Sequence, residues 1–121
     1  MTTFDPVKRL IAYHAAISAL DFATIEAMFA EDAVYVSGGV GGRIEGRAAI
    51  MAAFRAYFDV FGDQVSTDSH VEARGDLAAL AVWRLTATDG RTGQRVTRQG
   101  EETIFFSPDG LILRVDVVES D

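Results

Sequence analysis

The chain has 121 residues, 49% apolar and 24% charged, the size and balance of one globular unit with one core rather than of a disordered tract. Eleven Lys and Arg against 18 Asp and Glu leave a net charge of −7, which disfavours nucleic acid and anionic membranes as partners. There is no cysteine for a disulfide, thiolate site or nucleophile, no apolar run of the roughly 20 residues that span a bilayer, and no signal-peptide order, so a cytoplasmic protein is expected.

Asp5-Pro6 reads as a helix start, with Asp capping the free N–H groups and Pro tolerated in the first turn. Pro6, Leu10, Tyr13, Ile17 and Leu20 then form one apolar stripe, with Val7, Ile11 and His14 beside it. A second helix is predicted over 22–30, with Ile25, Met28 and Phe29 inward, and a first strand over 33–37. The run 37–43 is too glycine-rich for regular structure and reads as a mobile lip. A third helix spans about 47–61, carrying Ile50, Phe54, Tyr57, Phe58 and Phe61 on one face and ending at Gly62. Strands follow over 65–73, 77–88, 94–106 and 111–119, each break carrying Gly, Pro or Asp. Helices followed by a meander predict an α+β fold, with residues 1–121 as a single domain.

The run from Asp21 to Ile50, a short helix leading into a strand, a glycine loop and Ile44-Glu45-Gly46-Arg47-Ala48-Ala49-Ile50 opening another helix, resembles the NTF2-like superfamily. The likeness is to its SnoaL-like and ketosteroid-isomerase-like branches and extends over essentially the whole chain. It implies an NTF2-like (cystatin-like) cone, with three N-terminal helices packed on a curved antiparallel sheet around an apolar pocket. It also implies a small hydrophobic or carbonyl-bearing ligand, no cofactor, chemistry of isomerase, cyclase or hydrolase type, and pairing of two copies through the outer sheet face. A non-catalytic binding or assembly module on the same cone is the alternative.

Alternation along the strands decides which side chains would see the pocket. Ala79, Ala81, Trp83, Leu85 and Ala87 share one face, and Leu111, Leu113, Val115 and Val117 another, both expected inward. The outer set, Leu80, Val82, Ile112 and Val118, is apolar enough to suggest a homodimer face. Expected pocket-lining residues are Ile17, Phe29, Ser37, Phe54, Phe58, Trp83, Ile104, Val115 and Val117.

Glu102 shares a face with Ile104 and Phe106, so it is either an acid kept neutral by desolvation or the partner of an arginine such as Arg98 or Arg84. Tyr13, set among Leu10 and Ile17, is either a core phenol or a donor aimed into the pocket. The family resemblance places Tyr13 and Glu102 at the oxyanion-hole positions of ketosteroid isomerases, and Ser37 where those enzymes carry the base. Serine cannot take a proton from carbon at neutral pH. His14 is the first alternative base, with Glu119 behind it, while His70 shares a polar face with Asp68 and Glu72 and reads as surface. The last-strand aspartate of limonene-epoxide-hydrolase-like proteins falls near Val117, one residue from Asp116. Arg91, Arg95 and Arg98 read as a solvated hairpin tip, and the two histidines are too far apart in sequence to suggest a metal site.

Overall fold

A computed structural model describes residues 4–38 and 42–120. Asp5 starts α1 (Pro6–Ser18), its carboxylate accepting the N–H groups of Val7 and Lys8 at 3.0 and 3.2 Å. The buried stripe is Pro6, Leu10, Tyr13 and Ala16. The helix stops before Leu20, which turns back with φ of 53° and is partly exposed, and Ile11 is 51% exposed, so neither belongs to the buried face. Asp21 caps α2 (Phe22–Met28).

The backbone becomes extended at Phe29, so β1 (Phe29–Ser37) begins earlier than the periodicity predicts. Phe29 is fully buried and lies opposite Ile112, and that burial outweighs another helical turn. Part of the expected irregular loop is instead β2 (Gly42–Glu45), which pairs with β1 from Val34–Glu45 to Ser37–Gly42. The rest of the expected lip, residues 39–41, lies outside the described residues. Then come α3 (Arg47–Val60), β3 (Val65–Ala73), β4 (Ala78–Thr88), β5 (Arg95–Phe106) and β6 (Ile112–Glu119).

The six strands are ordered β2-β1-β6-β5-β4-β3. The sheet is not wholly antiparallel, because β1 lies parallel to β6, with Tyr35 opposite Val115. The two strands are joined by most of the chain, and only so long a connection permits parallel pairing. β1 and β2 also fall between the second and third helices, so the helices do not all precede the sheet.

Two bulges change which side chains face the helices. In β3, Asp68 opposes Trp83 and His70 opposes the adjacent Val82, leaving Ser69 as the extra residue. The inward set therefore changes from Ser66 and Asp68, which line the cavity, before the bulge to Val71, which packs against the core, after it. In β6, Phe105 opposes Arg114 and Phe106 opposes Ile112, leaving Leu113 extra. Ile112 and Val115 are accordingly both fully buried, while Leu113 is 41% exposed. This corrects the expectation of Leu113 inside and Ile112 outside.

Gly100 allows β5 and β6 to approach. A Cβ there would sit 2.2 Å from the Val118 carbonyl oxygen and 2.9 Å from Glu119 Cα, both backbone atoms that cannot swing away. Gly100→Ala is expected to cost ~3 kcal/mol by overpacking. Gly38→Ala, where a Cβ meets nothing within 4 Å, is the control and should leave stability nearly unchanged in urea unfolding.

Candidate functional site

Between α1, α3 and the concave side of the sheet lies a cavity of about 120 Å³. Its apolar walls include Ile17, Phe54, Phe58, Trp83, Leu85 and Val117. Polar groups reach it from α1 (His14), β1 (Tyr35, Ser37), β3 (Ser66, Asp68) and β5 (Arg98, Glu102). Phe29, Ile104 and Val115, expected on the wall, are instead fully buried in the core behind it. Phe29 meets both Tyr13 and Phe54 edge-on, so the core continues into the wall through packed rings.

At one end His14 bridges two carboxylates. Its Nε2 lies 2.5 Å from Glu102 Oε1 and its Nδ1 2.7 Å from Asp68 Oδ2. Glu102 is 6% exposed, so a charge there without a cation would cost several kcal/mol. Burial opposes a charge on His14, but the Glu102 charge and hydrogen bonds to Asp68 and Glu102 outweigh it and raise the imidazole to about 10. At neutral pH the cluster is an imidazolium that donates to a carboxylate at each nitrogen. Such a histidine has no lone pair with which to take a proton, so the expected role of His14 as a free base does not fit this geometry.

Glu102 thus pairs with His14 rather than with Arg98 or Arg84. Asp68, grouped in sequence with His70 and Glu72, is separated from them by the Ser69 bulge. His70 and Glu72 remain outside, 2.7 Å apart, His70 exposed and Glu72 half-buried.

Tyr13 is fully buried and is not part of the cavity wall. Its hydroxyl lies beside Tyr35, with no hydrogen bond of ordinary geometry closing between them among the described residues. Burial, with Tyr35 and Glu102 close by, holds its pKa well above the usual phenol value. Tyr35 and Tyr57 are the phenols that reach the cavity, and burial raises the pKa of each. Trp83 Nε1 is likewise buried without a partner among the described residues.

Toward the other end, Arg98 donates to Tyr57 Oη at 3.3 Å and pairs with Glu119, while Tyr57 donates to Gln64 at 2.6 Å. Arg91 and Arg95 stay on the surface, paired with Asp89 and Asp63. Asp116 is paired with Arg114 on the outer side of β6. Among the described residues no group of three or more His, Cys, Asp or Glu side chains is placed to hold a metal ion, and no helix is long and apolar enough to cross a membrane.

The model of the SnoaL-like domain matches residues 10–115. The chain belongs to the SnoaL-like domain family. No curated protein matches it. Among solved structures it is similar to Bal32a from a soil-derived mobile gene cassette, at 24% identity and TM-score 0.84, covering 94% of this chain and 88% of that one. It is also similar to SalBIII, an epoxide hydrolase/cyclase-like enzyme with a role in pyran ring formation in the polyether salinomycin (20%, TM-score 0.80, covering 93% and 88%). RV0760c from Mycobacterium tuberculosis, solved with estradiol-17beta-hemisuccinate, gives 17% and 0.81, covering 93% and 91%. At these identities the likeness to solved structures is one of fold. Within this SnoaL-like domain Ser37 is a buried residue of the cavity wall.

His14 holds its proton more tightly in the folded chain than at its ordinary value of 6.5, so its stabilising contribution is complete below pH 6.5 and is lost as pH rises through about 10. The melting temperature should therefore fall between pH 7 and pH 10. His14→Gln, which leaves Glu102 buried without its cation, should cost ~3 kcal/mol at pH 7. It should also flatten that alkaline slope in a melting series, whereas parallel slopes in the two proteins would contradict the assignment.

Proposed function

We propose that this SnoaL-like protein binds a small cyclic, carbonyl-bearing molecule and moves a proton on it without a cofactor, in isomerase- or cyclase-type chemistry. The observation that carries the reading is the Asp68–His14–Glu102 cluster at the wall of an otherwise largely apolar cavity. A cavity of about 120 Å³ is close to the ~150 Å³ that accepts a benzene ring, so the buried part of the ligand is about one ring. A larger molecule would leave the rest of its body at the mouth. The similarity to a cyclase-like enzyme and to a protein solved with a steroid ester supports a ligand of this kind.

In this reading Glu102 is the proton acceptor. Its carboxylate takes a proton from carbon next to the ligand carbonyl, and Tyr35 donates a hydrogen bond to the oxygen as it gains charge. The proton then returns from Glu102 to the ligand at a second carbon. In the cyclising case the enolate carbon bonds to a second carbonyl carbon of the ligand, whose C=O π bond opens to an alkoxide that takes the proton back from Glu102. His14 fixes the orientation of Glu102, and Asp68 fixes that of His14. Tyr13, behind Tyr35, supports that phenol rather than meeting the ligand.

One observation favours the binding-only alternative: both nitrogens of His14 are already satisfied, as in a structural network. Exchange of the α-protons of cyclohexanone in D₂O separates the two readings. Acid–base catalysis predicts exchange above the buffer rate that falls by about 10²-fold or more in Glu102→Gln. Saturable quenching of Trp83 fluorescence by cyclohexanone with no exchange above buffer would leave only the binding function.

The proposal includes pairing of two copies through the outer sheet face, where Phe105, Leu113 and Val118 are 39%, 41% and 66% exposed. Phe105→Lys combined with Val118→Lys should shift the sedimentation coefficient from that of a dimer to that of a monomer with the fold intact. A wild type that sediments as a monomer would refute the pairing.

A further inference from the structure

We propose that Arg98 and Tyr57 form a subsite for the carboxylate of a small cyclic acid, and that Glu119 occupies the Arg98 guanidinium until such a ligand displaces it. This rests on reading the cavity as a small-molecule site and narrows the class of ligand it would take.

Arg98 stands on the inward face of β5, opposite Leu85 and four residues before Glu102. That spacing sets the two backbone positions about 13 Å apart along the strand. The Arg98 side chain is only 18% exposed, in a cavity wall that also carries Tyr57, Phe58 and Leu85. An arginine turned outward would be hydrated at no cost, so an inward one needs partners that repay its lost water.

The partners present hold the group in place without exhausting it. The guanidinium carbon lies 6.0 Å from the centre of the Tyr57 ring, and Nη1 donates to Tyr57 Oη at 3.3 Å. Tyr57 is anchored in turn by Gln64. Tyr57 and Glu119 account for two of the five N–H groups that a guanidinium offers in its planar fork.

Glu119 is the replaceable partner. It is the last residue of β6 and its side chain is 39% exposed, so water can take over its charge at little cost. A ligand carboxylate that replaces it brings one negative charge into the wall as another leaves, and the electrostatic balance around Arg98 is preserved. A carboxylate seated at Arg98 would direct its ring among Phe54, Trp83 and Leu85, with the far edge of the ring toward Glu102.

The test is a titration with benzoate and with benzamide, its neutral isostere, followed by the indole N–H resonance of Trp83, the single tryptophan of the chain. Wild type should bind benzoate more tightly than benzamide. Arg98→Met should weaken benzoate by about tenfold while leaving benzamide within about twofold, the loss expected of a charge-assisted hydrogen bond. Glu119→Gln, by removing the internal competitor, should tighten benzoate several-fold and leave benzamide unchanged. Retained benzamide binding certifies that Arg98→Met is folded, and if it is not, Glu119→Gln still decides the matter. Benzamide binding with benzoate no tighter, or benzoate indifferent to both substitutions, would overturn the carboxylate subsite and leave the cavity reading standing. Failure of both compounds to bind would overturn the two together.

Discussion

One buried negative charge organises this site. Glu102 sits on the inward face of β5 with the fully buried Ile104 two residues further along. A carboxylate so placed needs a cation within hydrogen-bonding distance, and the nearest is His14 on α1. Meeting that need makes His14 an imidazolium, and an imidazolium has a second N–H that must also be accepted. Asp68 accepts it. Three elements distant in sequence, α1, β3 and β5, are thus tied together at the cavity wall by one requirement of charge compensation. A cluster of this kind contributes less to net stability than to position, since its desolvation cost offsets most of its attraction.

The shape of the sheet makes the cluster possible. Without the extra residue at Ser69, strict alternation along β3 could not have both Asp68 at the cavity and Val71 against the core. The bulge at Leu113 does the same for Ile112 and Val115, and Gly100 lets β5 and β6 bend closely together. The cavity is the space left where the bent sheet parts from α1 and α3. Its chemistry comes from a few side chains on that wall, and the fold by itself would not specify it.

Much of this is legible in the sequence where local rules govern. The Asp5-Pro6 start, the aromatic face of α3, the alternation of β4 and the inward placement of Glu102 all follow from capping and periodicity. The readings that fail do so where a single residue changes the phase. Asp68 is hidden by a bulge, because parity ties it to His70 and Glu72 until one extra residue uncouples them. Ile112 and Leu113 exchange sides for the same reason. Arg98 hides in a cluster with Arg91 and Arg95 that reads as a hairpin tip, although its even number matches Glu102 and places it inside. β2 is hidden by its glycine, and the parallel contact of β1 with β6 leaves no local trace. The pairing of His14 with both acids is a tertiary fact, and only the apolar surroundings of Glu102 hint that it requires a cation.

The charge state of His14 tests this account most directly. A long-range ¹H–¹⁵N spectrum of the uniformly labelled protein, recorded from pH 6 to pH 9, reports it at each ring nitrogen, with His14→Gln assigning the signals. The account predicts that both His14 nitrogens keep the shifts of a protonated imidazolium across that range, while the exposed His70 provides an internal comparison. One nitrogen of His14 moving to the unprotonated position near pH 6.5 would contradict it, and would restore His14 as an ordinary base.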